Sequence, residues 1–159
     1  TFLLDDMNID SIRVIKLESH DTKDIVDKHV NGNLTVIWRD WDSVIGENPK
    51  MIYITSINPG EVKGPHLHTK RDSFMTCILG RVVFIVKDLE GVYHEIICDE
   101  KEPVLLCIPK EFASAHINIS NKSSSILVLA NVSWMPNDNE MKNVLFDDYD
   151  WIKWKNYVS

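Results

Sequence analysis

The chain has 159 residues, of which 44% are hydrophobic and 26% charged. That balance belongs to a globular protein and excludes disorder as the main state. Seventeen Lys and Arg against 24 Asp and Glu leave a net charge of −7, which argues against a general binder of nucleic-acid backbones, although a local basic pocket can still hold one anionic ligand. The length is that of one domain covering residues 1–159, with a core over about 11–136 and a tail over 137–159. No apolar run approaches a membrane span, so no membrane partner is expected.

Residues 11–17 alternate apolar and polar in the period of a strand. Residues 19–33 are polar, and a second strand is expected over 34–38, after the turn Asn31-Gly32-Asn33. A third covers 51–57 and closes at Asn58-Pro59-Gly60. Strands over 74–79 and 82–86 are broken by Gly80, 92–97 follows the turn at Glu90-Gly91, and 104–108 ends at Pro109. The last pair, 116–119 and 126–132, flanks the polar loop 120–125. Short strands at near-regular spacing indicate an all-β sandwich or barrel. The tail is acidic and aromatic (Phe146, Tyr149, Trp151, Trp154, Tyr157) and reads as helical turns packed over the barrel.

Three cysteines, Cys77, Cys98 and Cys107, lack the spacing of a metal site. Cys77 and Cys107 lie in apolar runs, where a buried, reduced thiol is expected. An odd count without a secretory leader points to the cytoplasm.

The densest chemistry lies in residues 59–80. His66 and His68 are two apart, so on a strand they project to one face. Lys63, Lys70 and Arg71 flank them. Histidine moves protons near neutral pH, and neighbouring cations can hold a phosphate or an enolate oxygen. An isolated H-x-H is more often one core histidine and one solvated one; the flanking cations and turns are what favour chemistry here.

Gly60, His66, His68 and Gly80 resemble the first cupin motif, and Ile108-Pro109 with Phe112-Ala113 resembles the second. Within the cupins the run Pro59-Gly60, Lys63-Gly64-Pro65-His66-Leu67-His68 and Asp72-Ser73-Phe74 is similar to the dTDP-4-dehydrorhamnose 3,5-epimerase family, with sugar-nucleotide 3,4-ketoisomerases next. Trp38-Arg39-Asp40-Trp41 and the Phe146-Asp147-Asp148 ending with Trp154 resemble the same family. The resemblance implies an RmlC-like jelly roll, a double-stranded β-helix with the site inside its mouth. It also implies a homodimer and a nucleotide-linked 4-keto-6-deoxy sugar as substrate, with no metal or organic cofactor.

By the same resemblance His66 is the base that removes a proton alpha to the ketone, and Asp147 or Asp148 orients it. Lys63 contacts phosphate or the developing oxyanion, and His68, Lys70, Arg71, Ser73 and His116 are further substrate contacts. The chain departs from the family at Ser73, where a lysine is usual, and at 128–130, where Val128-Leu129-Ala130 replaces the acid tyrosine. Glu111 and Ser114 replace the second motif's glycine and histidine, leaving His116 nearby. Tyr53, at a functional tyrosine position of the ketoisomerases, is then the acid candidate. Two rival readings remain open: a metal-binding cupin using His66, His68, Asp72 and His116, and a sugar-binding cupin without catalysis. His20, His29 and His94 read as surface histidines, Trp38 and Trp41 as interface or base-stacking aromatics, and Asp138, Glu140 and Asp150 as a solvated acidic face.

Overall fold

The computed structural model describes residues 11–41, 46 and 48–158. Twelve strands are present among them: β1 Arg13–Lys16, β2 Glu18–Lys23, β3 Val30–Val36, β4 Met51–Ile57, β5 Val62–His68, β6 Ser73–Leu79, β7 Arg81–Lys87, β8 Tyr93–Asp99, β9 Val104–Ile108, β10 Ala113–Asn118, β11 Ser124–Ala130 and β12 Met141–Asn143. One short helix, α1, spans Ile152–Lys155. There are two five-stranded sheets, β1-β9-β6-β11-β4 and β12-β5-β10-β7-β8, and a separate β2-β3 ribbon between β1 and β4 in the chain. The pairings are antiparallel throughout, as expected for a cupin jelly roll.

Alternation along the strands sorts side chains into three apolar layers. Met75, Cys77, Leu106, Ile108, Ile126 and Val128 of the first sheet meet Val82, Phe84, Val86 and Cys98 of the second in the space between them. Phe74, Leu105, Cys107 and Leu129 lie on the outside of the first sheet with Leu17. Val83, Ile85, Ala113, Ala115 and Ile117 lie on the outside of the second, under Phe146 and Trp154. The tail therefore does cover the barrel. Its aromatic rings interlock, and Trp154 donates its indole N–H toward Glu95 Oε2 (3.0 Å) and Tyr149 Oη (2.6 Å).

Expected and observed strands coincide at β4 and β9. The ribbon differs. β2 has no apolar alternation because five of its six residues are exposed, and β3 begins four residues earlier than expected, since turn residues 31–33 lie within the strand and not before it. A two-sided polar ribbon leaves no period for sequence to reveal. β10 starts three residues earlier than expected because Ala113 and Ala115 are small enough to sit under the tail. All three thiols are free and buried, and burial pushes them up to about 11 for Cys77 and about 12 for Cys98 and Cys107.

Trp154→Ala removes a nearly buried indole and both of its hydrogen bonds. A loss of about 3–5 kcal/mol in unfolding free energy is expected, measured by urea denaturation. An unchanged midpoint would mean that the tail contributes nothing to the outer layer.

Candidate active site

β5 carries the histidine pair on an edge-proximal path between β10 and β12. Val62 and Leu67 pack into the outer layer, so Lys63, His66 and His68 face inward. The phase changes between Val62 and Leu67 through an irregularity in the β5–β10 register, where Ser114 opposes His66 and His116 opposes Lys63. Gly64 sits at this irregularity with φ +88°, and a Cβ there would lie 2.8 Å from Ser114 O. Only glycine permits both the left-handed backbone and the close approach. The sequence thus requires a glycine just before Pro65 in order to turn both histidines inward.

The two imidazoles meet edge to face, with centroids 5.3 Å apart. His68 Nδ1 lies 2.7 Å from Glu140 Oε2. The other carboxylate oxygen, Oε1, accepts the backbone N–H groups of Arg71 (3.0 Å) and Lys70 (3.3 Å). Arg71 is buried and its guanidinium reaches Tyr53 Oη at 3.4 Å, with Cζ 6.0 Å from the ring centre. Tyr53 comes from β4 on the opposite sheet and stands directly across from Val128. Lys63 Nζ donates to Thr55 Oγ1 at 2.8 Å, also across the two sheets. His68 and Arg71 line a cavity of about 340 Å³ together with Trp134, Met135 and Asn139.

Three further polar atoms of this region, Arg71 Nε, Ser73 Oγ and His116 Nε2, are buried without a hydrogen-bond partner. Ser73 shares the inner face of β6 with Met75 and Cys77, and His116 packs its ring 5.2 Å from Phe84. A buried polar group left unpaired costs roughly 1–3 kcal/mol. Three together mark a surface shaped for a polar ligand rather than for stability.

Electrostatics keep the imidazoles neutral. Burial lowers the pKa of His66, helped by the charges of His68 and Arg71. Burial also lowers that of His68, against the opposing pull of its Glu140 hydrogen bond. His116 is pushed down to about 4 by burial, with Lys63 and His66 adding to the effect. Burial alone would raise the Glu140 carboxyl, but the bonds from His68 and the two backbone N–H groups outweigh it and hold the carboxyl below its usual range.

The structure brings His66, His68, Tyr53, Arg71, Ser73 and His116 to the interior, leaves Lys63 exposed at its rim with its ammonium on Thr55, and places the tail aspartates elsewhere. Asp147 and Asp148 are both exposed, and Asp148 accepts the Tyr93 hydroxyl on the outer layer. The tail crosses outside the second sheet, so neither carboxylate stands behind His66. Lys70 is exposed and contributes its backbone N–H to Glu140. Glu140 itself, expected on a solvated face, is 4% exposed. The left-handed residues Asn137 and Asn139 fold the loop back against β5 and carry it inward. The Asn-Asp-Asn run was a turn signal, but no periodicity marked the residue after it as buried.

Asp72 is committed to the scaffold. Its carboxylate accepts the Lys110 backbone N–H (2.8 Å) and Asn131 Nδ2 (2.7 Å). Among the described residues, the donor atoms of His66, His68, Asp72 and His116 do not form a close group; the one such group is Asp24, Asp27 and His29 on the β2–β3 turn. The proposed cupin metal ligands therefore do not fit a shared ion in this arrangement.

His116 gives the site a pH signature. Its folded pKa lies below the unfolded value of 6.5, so the unfolded chain binds the proton more readily. The folded state is favoured above pH 6.5 and loses stability as pH falls from there toward 4. His116→Gln should flatten this dependence by up to about 3 kcal/mol, read from urea midpoints at pH 7 and pH 4. Equal slopes in the two proteins would show that His116 is not the responsible group.

Comparison with solved structures supports the architecture. A dTDP sugar isomerase from Desulfovibrio desulfuricans G20 superimposes with a TM-score of 0.76 at 14% identity, over 89% of this chain and 91% of that one. A dTDP-4-dehydrorhamnose 3,5-epimerase from Sulfolobus tokodaii gives 0.73 at 16% identity, over 93% and 84%. The sugar 3,4-ketoisomerase QdtA from Thermoanaerobacterium thermosaccharolyticum, in complex with TDP, gives 0.64 at 18%, over 91% and 92%. At these identities the likeness establishes the fold alone. No curated protein matches the chain by sequence. Residues 12–149 match the family FdtA, described as WxcM-like, C-terminal, and the chain belongs to that family.

Proposed function

We propose that the protein is an isomerase of nucleotide-linked 4-keto-6-deoxy sugars that epimerises a carbon beside the ketone through an enolate. The observation that carries this reading is the inward histidine pair facing, across the barrel, the contact between Arg71 and Tyr53. A neutral imidazole is the form that accepts a proton, and burial keeps both His66 and His68 in it. As the proton leaves the carbon alpha to the ketone, charge moves to the carbonyl oxygen. Arg71, with an uncommitted Nε, and Lys63 are the cations able to meet it. Tyr53 then returns a proton. Because Tyr53 and the histidines stand on different sheets, acid and base can approach opposite faces of a sugar ring, as inversion of a carbon demands.

A second reading, 3,4-ketoisomerisation, is favoured by one feature. Val128-Leu129-Ala130 stands where the epimerase tyrosine is usual, and Tyr53, the cross-strand partner of Val128, supplies the phenol. Both readings share the enolate and differ in the carbon that receives the proton. As part of the same proposal the protein works as a homodimer in a reducing cytoplasm, without a cofactor. Ile52 and Ile54, 61% and 59% exposed on edge strand β4, offer an apolar face to a second copy. The three free thiols suit that compartment. No helix among the described residues is long and apolar enough to cross a membrane.

Incubation with a panel of nucleotide-linked 4-keto-6-deoxy sugars in deuterated water, followed by NMR, tests the proposal. Deuterium at position 3 or 5 with the 4-ketone retained is expected, and a 3-ketone signal would favour the second reading. Tyr53→Phe should lower product formation on the order of 10²–10⁴-fold while folding is preserved. Binding of several sugars without any proton exchange would overturn both readings in favour of a sugar-binding cupin.

A further inference from the structure

Glu140 does three things at once. One oxygen meets His68 Nδ1 at 2.7 Å. The other accepts the backbone N–H groups of Lys70 and Arg71. Its own backbone N–H donates to Asp138 Oδ1 (3.1 Å), and its carbonyl accepts both the N–H and the hydroxyl of Thr69 (2.8 and 3.1 Å). The carboxylate is 4% exposed and the His68 side chain 12%. A buried carboxylate satisfied by one imidazole and two N–H groups is fixed in place, and the residue it fixes faces the cavity that Arg71 also lines. Among the described residues no carboxylate hydrogen-bonds His66, whose neighbours are the His68 ring, Ser114 and Asn143 across the register, and the charges of Arg71 and, without a hydrogen bond, Glu140.

We infer that His68, held by Glu140, is the proton acceptor of this site, and that Glu140 is its positioning residue; this rests on the isomerase reading above. The carboxylate holds the proton on Nδ1, which leaves Nε2 with its lone pair free to take a proton from carbon. As Nε2 becomes protonated, the imidazolium forms next to a carboxylate that neutralises it. The same carboxylate anchors the backbone at Arg71, so one group sets the spacing between the base and the cation that meets the enolate oxygen. His66 then serves as the ring against which His68 packs. The dyad consequently lies on the second histidine of the H-x-H pair, with its acid at Glu140 just before β12 rather than at Asp147 or Asp148.

Nitrogen-15 NMR of the imidazole rings tests this without any substrate. His68 resonances are identified by their loss in His68→Gln. At pH 7 wild-type His68 is expected in the Nδ1–H form. In Glu140→Gln, which preserves size, its titration midpoint is expected to move down, because the Glu140 charge that raises it has gone while Arg71 still lowers it and Asp138 alone remains to raise it. An Nε2–H form, or a midpoint unmoved in Glu140→Gln, would overturn the inference whatever the substrate. A turnover assay adds a second readout. Glu140→Gln should lower kcat on the order of 10²-fold with KM changed less than about threefold, and His68→Gln should lose more proton exchange than His66→Gln. An equal or larger loss in His66→Gln would place the base on His66. Failure of all nucleotide sugars to react would refute the isomerase reading and leave the NMR result to decide the dyad by itself.

Discussion

β10 is buried on both faces, and the chemistry of the barrel depends on that condition. Its six residues alternate Ala113, Ala115 and Ile117 outward with Ser114, His116 and Asn118 inward, and all six are inaccessible or nearly so. Polar groups can line the interior only because the tail seals the other side with Phe146 and Trp154. Asn118 shows how such a strand stays satisfied at one end. Its amide donates to Ile57 O and Lys122 O and accepts from Ser120 N and Ser124 Oγ. Two residues back on the same inner face, His116 Nε2 is left unpaired. The contrast sets a satisfied polar residue beside an unpaired one on a single strand.

The same burial sets the charge pattern. A chain with net charge −7 nonetheless gathers Arg71 and three histidines in one interior, with Lys63 at its exposed rim, and removal from water is the first cause of the lowered pKa of all three histidines. Neutral imidazoles reduce the repulsion that Lys63 and Arg71 would otherwise meet. One buried carboxylate, Glu140, offsets part of what remains, and its position beside His68 makes that histidine unlike the other two. Desolvation acts on all three rings, but among them only His68 hydrogen-bonds a carboxylate.

What could be read from the sequence follows from periodicity and from chemistry that is local in the chain. Strands with one apolar face, such as β4 and β9, announce themselves by alternation, and the H-x-H spacing placed His66 and His68 on a shared face. Arg71, read as a substrate contact, and Tyr53, read as the acid candidate, are in contact. The ribbon strand β2 was illegible because it buries neither face. Glu140 was illegible for a different reason: its partner lies 72 residues away, and the residues around it are those of an ordinary polar loop. Asp147 and Asp148 misled because an aspartate beside an aromatic tail looks the same whether the tail enters the barrel or wraps its outside.

On the proposed isomerase reading the acid sits on β4 and not on β11, and the pairing of those two strands keeps the enclosure. Tyr53 and Val128 are direct partners in the β4–β11 ladder, and both project between the sheets. In paired strands, inward positions at the same level are about 5 Å apart, so a phenol moved from one strand to its neighbour still reaches the same cavity from a slightly different angle. Arg71 makes that move effective, since its guanidinium touches the phenol from the loop leading into β6. Its backbone is tied to the carboxylate that holds His68. One chain of contacts thus runs from Tyr53 through Arg71 and Glu140 to His68, the proposed acid, cation and base. A substitution anywhere along that chain is felt at both ends.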